Sequence, residues 1–166
     1  MTLTESAGGR VTAEIAEQIA ALNYRYAQAL DDRRLDDWPE FFLDDGRYII
    51  HPRENRDRGL EGYWIYCDSK RMMLDRVLSI KEVNLYNIHY NRRAISNILV
   101  TDAGDGVYIA RSNYSIVQTN SGGRSAIFSV GAYVDQVVFI DEEPKFQEKI
   151  VIPDTFTVSP LVAIPL

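Results

Sequence analysis

The spacing of apolar residues changes period partway along the chain, and that change narrows the folds open to it. From Thr12, residues Ile15, Ile19, Leu22, Tyr26 and Leu30 recur at steps of four, three, four and four, one stripe of an α-helix. Thr12 can cap the amino end, and Glu14 sits in the first turn, where negative charge suits the helix dipole. Met73, Val77 and Ile80 keep helical spacing later in the chain. From residue 92 the period becomes two: residues 92–101, 107–119, 125–140 and 145–152 read as strands. The joints, at 102–106, 120–123 and 141–144, carry Gly, Asn, Asp and Pro in turn chemistry, so consecutive strands are expected to be antiparallel neighbours in a meander.

The first half mixes short elements. Asp31 and Asp32 mark a helix exit, and Asp36, Asp37 and Pro39 announce a second, short helix with Trp38, Phe41 and Phe42. Asp44-Asp45-Gly46 reads as a turn, residues 47–51 as a strand closed by Pro52, and residues 53–59 as a polar loop. Residues 63–66 read as a short aromatic strand, with Asp68 and Ser69 able to cap a third helix. Helices followed by a long meander give an α+β fold in which a curved sheet wraps the amino-terminal helices. Tyr114 with Ile116, and Phe128 or Tyr133 with Val137, supply its covered face, and Gly131 is a natural bend. Gly8-Gly9 suggests a flexible segment over 1–11, leaving 12–166 as one domain, a length that suits a single core.

Composition excludes several functions. A net charge of -6 repels a phosphate backbone, so nucleic acid is not an expected partner. A single cysteine, Cys67, cannot form an internal disulfide, which fits a reducing cytoplasm. The first residues lack an apolar signal core and no stretch has the apolar length to span a bilayer, so no membrane association is expected. The two histidines, His51 and His89, have no helical pairing that would make them metal ligands, and read as rim or interface residues. The acids between Asp31 and Asp37 lack the ligand spacing of a calcium loop. No glycine pattern suited to phosphate and no nucleophile elbow is present. Cys67 reads as a buried thiol. Arg53, Arg56, Arg92, Arg93 and Trp64 are interface candidates, the alternative being a solvated rim. Ten tyrosines exceed what the core needs and suit a protein interface, and the apolar stretch 159–166 should dock on its own domain or a neighbour.

The run 37–48 (DWPEFFLDDGRY) resembles the helix-to-strand passage of the nuclear-transport-factor-2-like superfamily. The run 50–59 (IHPRENRDRG) resembles the small, or β, subunits of Rieske-type aromatic-ring-hydroxylating dioxygenases, as do 68–81 (DSKRMMLDRVLSIK) and 92–100 (RRAISNILV). The ending VAIPL is similar to small subunits acting with oxygenases for terephthalate or salicylate. The resemblance implies a cone of helices against a curved, mostly antiparallel sheet, and a non-catalytic structural subunit. It implies a hexamer of three large (α) and three small subunits, the small ones forming a trimer. The large subunit would carry the two-iron, two-sulfur Rieske cluster and the mononuclear iron, with no cofactor or metal on this chain. The competing reading within the superfamily is a stand-alone dehydratase, isomerase or cyclase, with Tyr48, His89 and Asp31 as acid-base candidates in the mouth of the cone.

Overall fold

The computed structural model describes residues 10–83, 89–155 and 165–166. Helix α1, Ala13–Asp31, is capped by Thr12, whose hydroxyl accepts the Ile15 N–H at 3.2 Å. Its stripe Ile19, Leu22, Tyr26 and Leu30 is buried. Arg33 adopts a positive φ of 59° and turns the chain into a 3₁₀ helix, Leu35–Phe41. This is the expected second helix, wound tightly around Pro39, with Trp38 buried. Strand β1, Phe42–Ile50, follows at once.

The turn expected at Asp44-Asp45-Gly46 is instead an irregular stretch inside β1. Phe42 pairs with Phe146 and Arg47 with Glu148, so β1 uses five residues where its partner uses two. A Cβ on Gly46 would lie 2.8 Å from the Leu43 carbonyl oxygen, so only glycine lets the excursion close on itself. The expected polar loop is in part a short helix, α2, Arg53–Asp57. Pro52 starts it and Arg58 bonds back to Glu54 one turn earlier, at 3.1 Å, giving a polar sequence enough local support. Strand β2, Ile65–Cys67, and helix α3, Lys70–Val83, complete the first half.

Strands β3 (Tyr90–Gly104), β4 (Val107–Thr119), β5 (Ser125–Ile140) and β6 (Glu143–Pro153) form the expected meander. The sheet order is β2-β1-β6-β5-β4-β3. All pairings are antiparallel except β1 with β6, which is parallel. The meander ladders carry extra residues on one strand: between Ser96 and Leu99 and between Asp102 and Gly104 on β3, between Ile127 and Ser129 on β5, and at Gln147 on β6. Such bulges bend and twist the strands that carry them, and they curve the sheet around α1. Gly131 has a different task from the expected bend. A Cβ there would fall 2.1 Å from the Ile152 carbonyl oxygen, so its bare backbone permits β5 and β6 to close up.

Helix α1 lies against β3 and β6, and α3 against β1 and the 3₁₀ helix. The enclosed core includes Tyr26, Trp38, Tyr48, Tyr114, Tyr133 and Phe146. Their rings meet mostly edge to face, as Trp38 and Tyr48 do at 5.0 Å, while Tyr114 and Tyr133 stack at 4.6 Å. Phe128 packs against this cluster from its edge.

Candidate functional site

Two regions could carry function: the polar interior of the cone and the outer face of the sheet. Strand alternation sends Asp135 of β5 and Lys149 of β6 inward at paired positions. The Lys149 ammonium lies 3.0 and 3.1 Å from the two Asp135 carboxylate oxygens and 2.9 Å from the Asn23 amide oxygen, fully buried. It also sits over the rings of Tyr133, Phe146 and Tyr26, at 3.9, 4.5 and 4.6 Å. Burial raises the Asp135 carboxyl and lowers the Lys149 ammonium, each opposed by the partner's charge. No sequence motif announced this cluster. Its signal was parity, two charges at inward positions of adjacent strands.

Arg93 is the second inward charge. Its guanidinium and main-chain N–H both bond Asp31, the latter at 2.8 Å, and the ion pair is almost wholly enclosed. The same guanidinium donates to the Pro165 carbonyl at 2.5 Å. Tyr26 and Tyr48 donate hydroxyl hydrogen bonds to the Leu166 oxygen at 2.5 and 3.2 Å, and the Leu166 N–H donates to the Tyr48 hydroxyl at 2.9 Å. Pro165 and Leu166 are buried, so part of the apolar ending docks on its own chain. The rest of that ending lies outside the described residues, as does most of the amino-terminal segment.

Two of the acid-base candidates have partners within the cone: Asp31 holds Arg93 and Tyr48 holds Leu166, while the main-chain carbonyl of His89 accepts the Arg33 guanidinium. Burial pushes the phenols of Tyr26, Tyr48, Tyr114 and Tyr133 upward, so each is neutral and a weaker acid than an ordinary phenol. Cys67 is buried, and burial raises its thiol, the opposite of an activated nucleophile. His51 contacts the Leu60 carbonyl at 3.0 Å and packs on Tyr63 at 4.7 Å between ring centres. No cluster of three or more metal-ligating side chains exists among the described residues. A Rieske cluster needs two cysteines and two histidines, so one cysteine and two histidines do not fit it.

Outside, Arg53, Arg56 and Arg111 line one groove of about 430 Å³ with Asn97 and Leu99. Arg53 pairs with Asp154 and also borders a second groove of about 500 Å³ walled by Trp64. Arg92 is exposed and only loosely paired, 3.9 Å from Asp32. Of the five interface candidates, the structure gathers Arg53, Arg56 and Trp64 around two adjoining grooves, leaves Arg92 outside on β3, and gives Arg93 an internal role. Arg111 was missed; its outward position on β4, paired with exposed Leu99, places it there.

The model of the ring hydroxylating beta subunit family matches residues 25–159. The chain belongs to that family. The small subunit of anthranilate 1,2-dioxygenase from Burkholderia cepacia is 39% identical over 149 residues, covering 90% of this chain and 92% of that protein. The terephthalate 1,2-dioxygenase terminal oxygenase subunit beta 2 from Comamonas sp is 31% identical over 150 residues, covering 90% and 97%. Among solved structures, a protein from Novosphingobium aromaticivorans assigned as the beta subunit of an aromatic-ring-hydroxylating dioxygenase superposes with a TM-score of 0.85 at 34% identity, covering 93% of this chain and 99% of that one. This beta subunit has the nuclear-transport-factor-2-like fold that its sequence suggested. No helix among the described residues is long and apolar enough to cross a membrane.

Proposed function

We propose that this chain is the structural beta subunit of an aromatic-ring dioxygenase, docking a large oxygenase subunit that holds the Rieske cluster and the mononuclear iron. The observation that carries this reading is the contrast in commitment: Asp31 and Tyr48 are bonded within the cone, while arginines and apolar side chains stand uncovered outside. A three-plus-three assembly built on a trimer of small subunits follows the family pattern, as does a cytoplasmic location. The relatives' names point to an aromatic carboxylate as the substrate class.

The outer sheet face supports docking. Leu99 is 65% exposed, Ile127 72% and Val117 38%, on strands whose other face is already in the core. Outward sheet positions that face only water favour polar residues, so this face suits a protein surface. Coexpression with the large subunit tests the reading. The expected result is a single complex of equal stoichiometry, whose iron content does not change when Asp31, Tyr48 or His89 is substituted in chains that still fold. Ring hydroxylation by the isolated small chain would overturn it.

A further inference from the structure

Two regions of the sheet carry unmatched charges of opposite sign. In one, Arg53, Arg56 and Arg111 border a groove of about 430 Å³ whose apolar lining includes Leu99, Val134 and Ile152. Arg53 has Asp154 as its counter-ion, but no carboxylate among the described residues pairs with Arg56 or Arg111. The acids of α2, Glu54 and Asp57, line the neighbouring groove instead. In the other, β5 turns into β6 through Asp141 and Glu142, which with Glu143 form an exposed acidic tip. Lys145 lies 4.0 Å from Glu143 but gives its ammonium to the Glu40 carbonyl at 2.9 Å, and no cation among the described residues pairs with Asp141 or Glu142. Asp141 and Glu142 hold positive φ angles of 49° and 66°, and a two-residue turn of this kind favours glycine at its second position. The acid at Glu142 is thus retained against a backbone preference. Tip and groove cannot meet within one molecule: from Val134 to Asp141 the chain runs seven positions along β5, roughly 20 Å of sheet at about 3.3 Å per residue.

We infer that the acidic hairpin tip of one copy seats in the arginine groove of a second copy of this chain. The occupant follows from charge complementarity. Asp141 and Glu142 are carboxylates without cations, Arg56 and Arg111 are guanidiniums without anions, and the apolar lining helps to exclude water where they meet. Because the two patches differ, the contact is heterologous: each copy offers its tip to one neighbour and its groove to the other, and the copies close into a ring. The inference rests on the multi-subunit reading above and adds which surfaces of the small chains meet. A ring also presents its docking faces together, so breaking it weakens capture of the large subunit through lost multivalency.

Sedimentation of the full chain on its own is the test. The parent should form a closed ring whose association weakens about tenfold or more between low salt and about 0.5 M salt. Reversing the groove with Arg56→Glu and Arg111→Glu, or the tip with Glu142→Lys and Glu143→Lys, should weaken association about tenfold or more in each case, with the urea midpoint nearly unchanged. The tip reversal moves the net charge of -6 toward zero, which alone would favour association, so a loss there is local. The chain carrying all four substitutions has the parent's net charge and a contact of swapped sign, and it should associate about tenfold more tightly than either reversal alone. Should a reversal fail to fold, Arg111→Gln and Glu142→Gln replace it, and together they should cost no more than the costlier of the two. A monomeric or two-fold dimeric parent, or an open chain that lengthens with concentration, would overturn the ring. Association indifferent to salt or to either reversal, a rescue short of that size, or additive losses from the neutral pair would overturn the contact. None of these results involves the large subunit, so the docking role stands or falls separately by coexpression.

Discussion

The two faces of the same sheet treat charge in opposite ways. On the inner face Lys149 meets Asp135 and Asn23, and Arg93 meets Asp31 and Pro165, with their charges almost fully withdrawn from water. On the outer face Arg56 and Arg111 line a groove beside exposed Leu99, with no carboxylate among its lining residues. The difference teaches where each kind of damage should register. Inside, a lost partner strands a charge in low dielectric and the fold suffers; outside, water already solvates the charge and only a second molecule notices its loss.

Alkaline pH should break the interior most completely. Tyr26, Tyr48, Tyr114 and Tyr133 all titrate above the ordinary phenol value because burial disfavours the phenolate. The folded state therefore holds protons that the unfolded state releases, so their contribution is full below about pH 10 and lost as pH rises beyond it. Each phenol contributes a slope of about 1.4 kcal/mol per pH unit, so urea denaturation should show a steep fall in stability from about pH 10. A flat profile up to pH 11 would show these hydroxyls reach water.

Lys149→Ala comes next. It leaves Asp135 buried without its cation and should cost about 3–5 kcal/mol in urea denaturation, whereas the pair Asp135→Leu with Lys149→Met should recover most of that loss. Failure of the double substitution to recover stability would show that Asn23 and the surrounding rings need the charges. Gly131→Ala should cost at least ~1–3 kcal/mol by forcing β5 away from the Ile152 carbonyl, read as a lower thermal midpoint. For the outer face, Trp64→Ala and Arg111→Glu should leave the urea midpoint within about 0.5 kcal/mol while weakening association with the large subunit about tenfold or more in a titration. Iron content per large subunit should not change. A loss of stability without a loss of assembly would erase the distinction between the faces. The smallest effect is expected at Arg92, whose 3.9 Å contact with Asp32 is solvent-exposed; Arg92→Ala should leave the urea midpoint nearly in place.

The elements most legible in the sequence were those whose signal is local. The stripe from Ile15 to Leu30 and its Thr12 cap lie within one helix, and the hairpin glycines lie within single turns, so spacing alone placed them. The position of β1 was not legible, because its parallel partner β6 comes about a hundred residues later and no turn joins them. Asp44-Asp45-Gly46 misled for a related reason: turn residues also serve a strand excursion, and only the register against β6 distinguishes the two. At the candidate sites, Arg92 and Arg93 looked alike as neighbours, yet a period of two sends adjacent side chains to opposite faces. One had to enter the cone. The Lys149–Asp135 pair likewise required a register that no local pattern supplies.

The place of β6 in the sheet has a consequence for biosynthesis. β1 leaves the ribosome early, but β6 is the strand that joins it to the meander, so the two halves of the sheet cannot unite until residue 153 has emerged. Contacts of such long sequence separation slow folding and leave strand edges open in the meantime. A nascent chain halted before β6 would therefore display one open edge on β1 and one on β5, each strand paired only on its other side, and the last strand covers both edges at once.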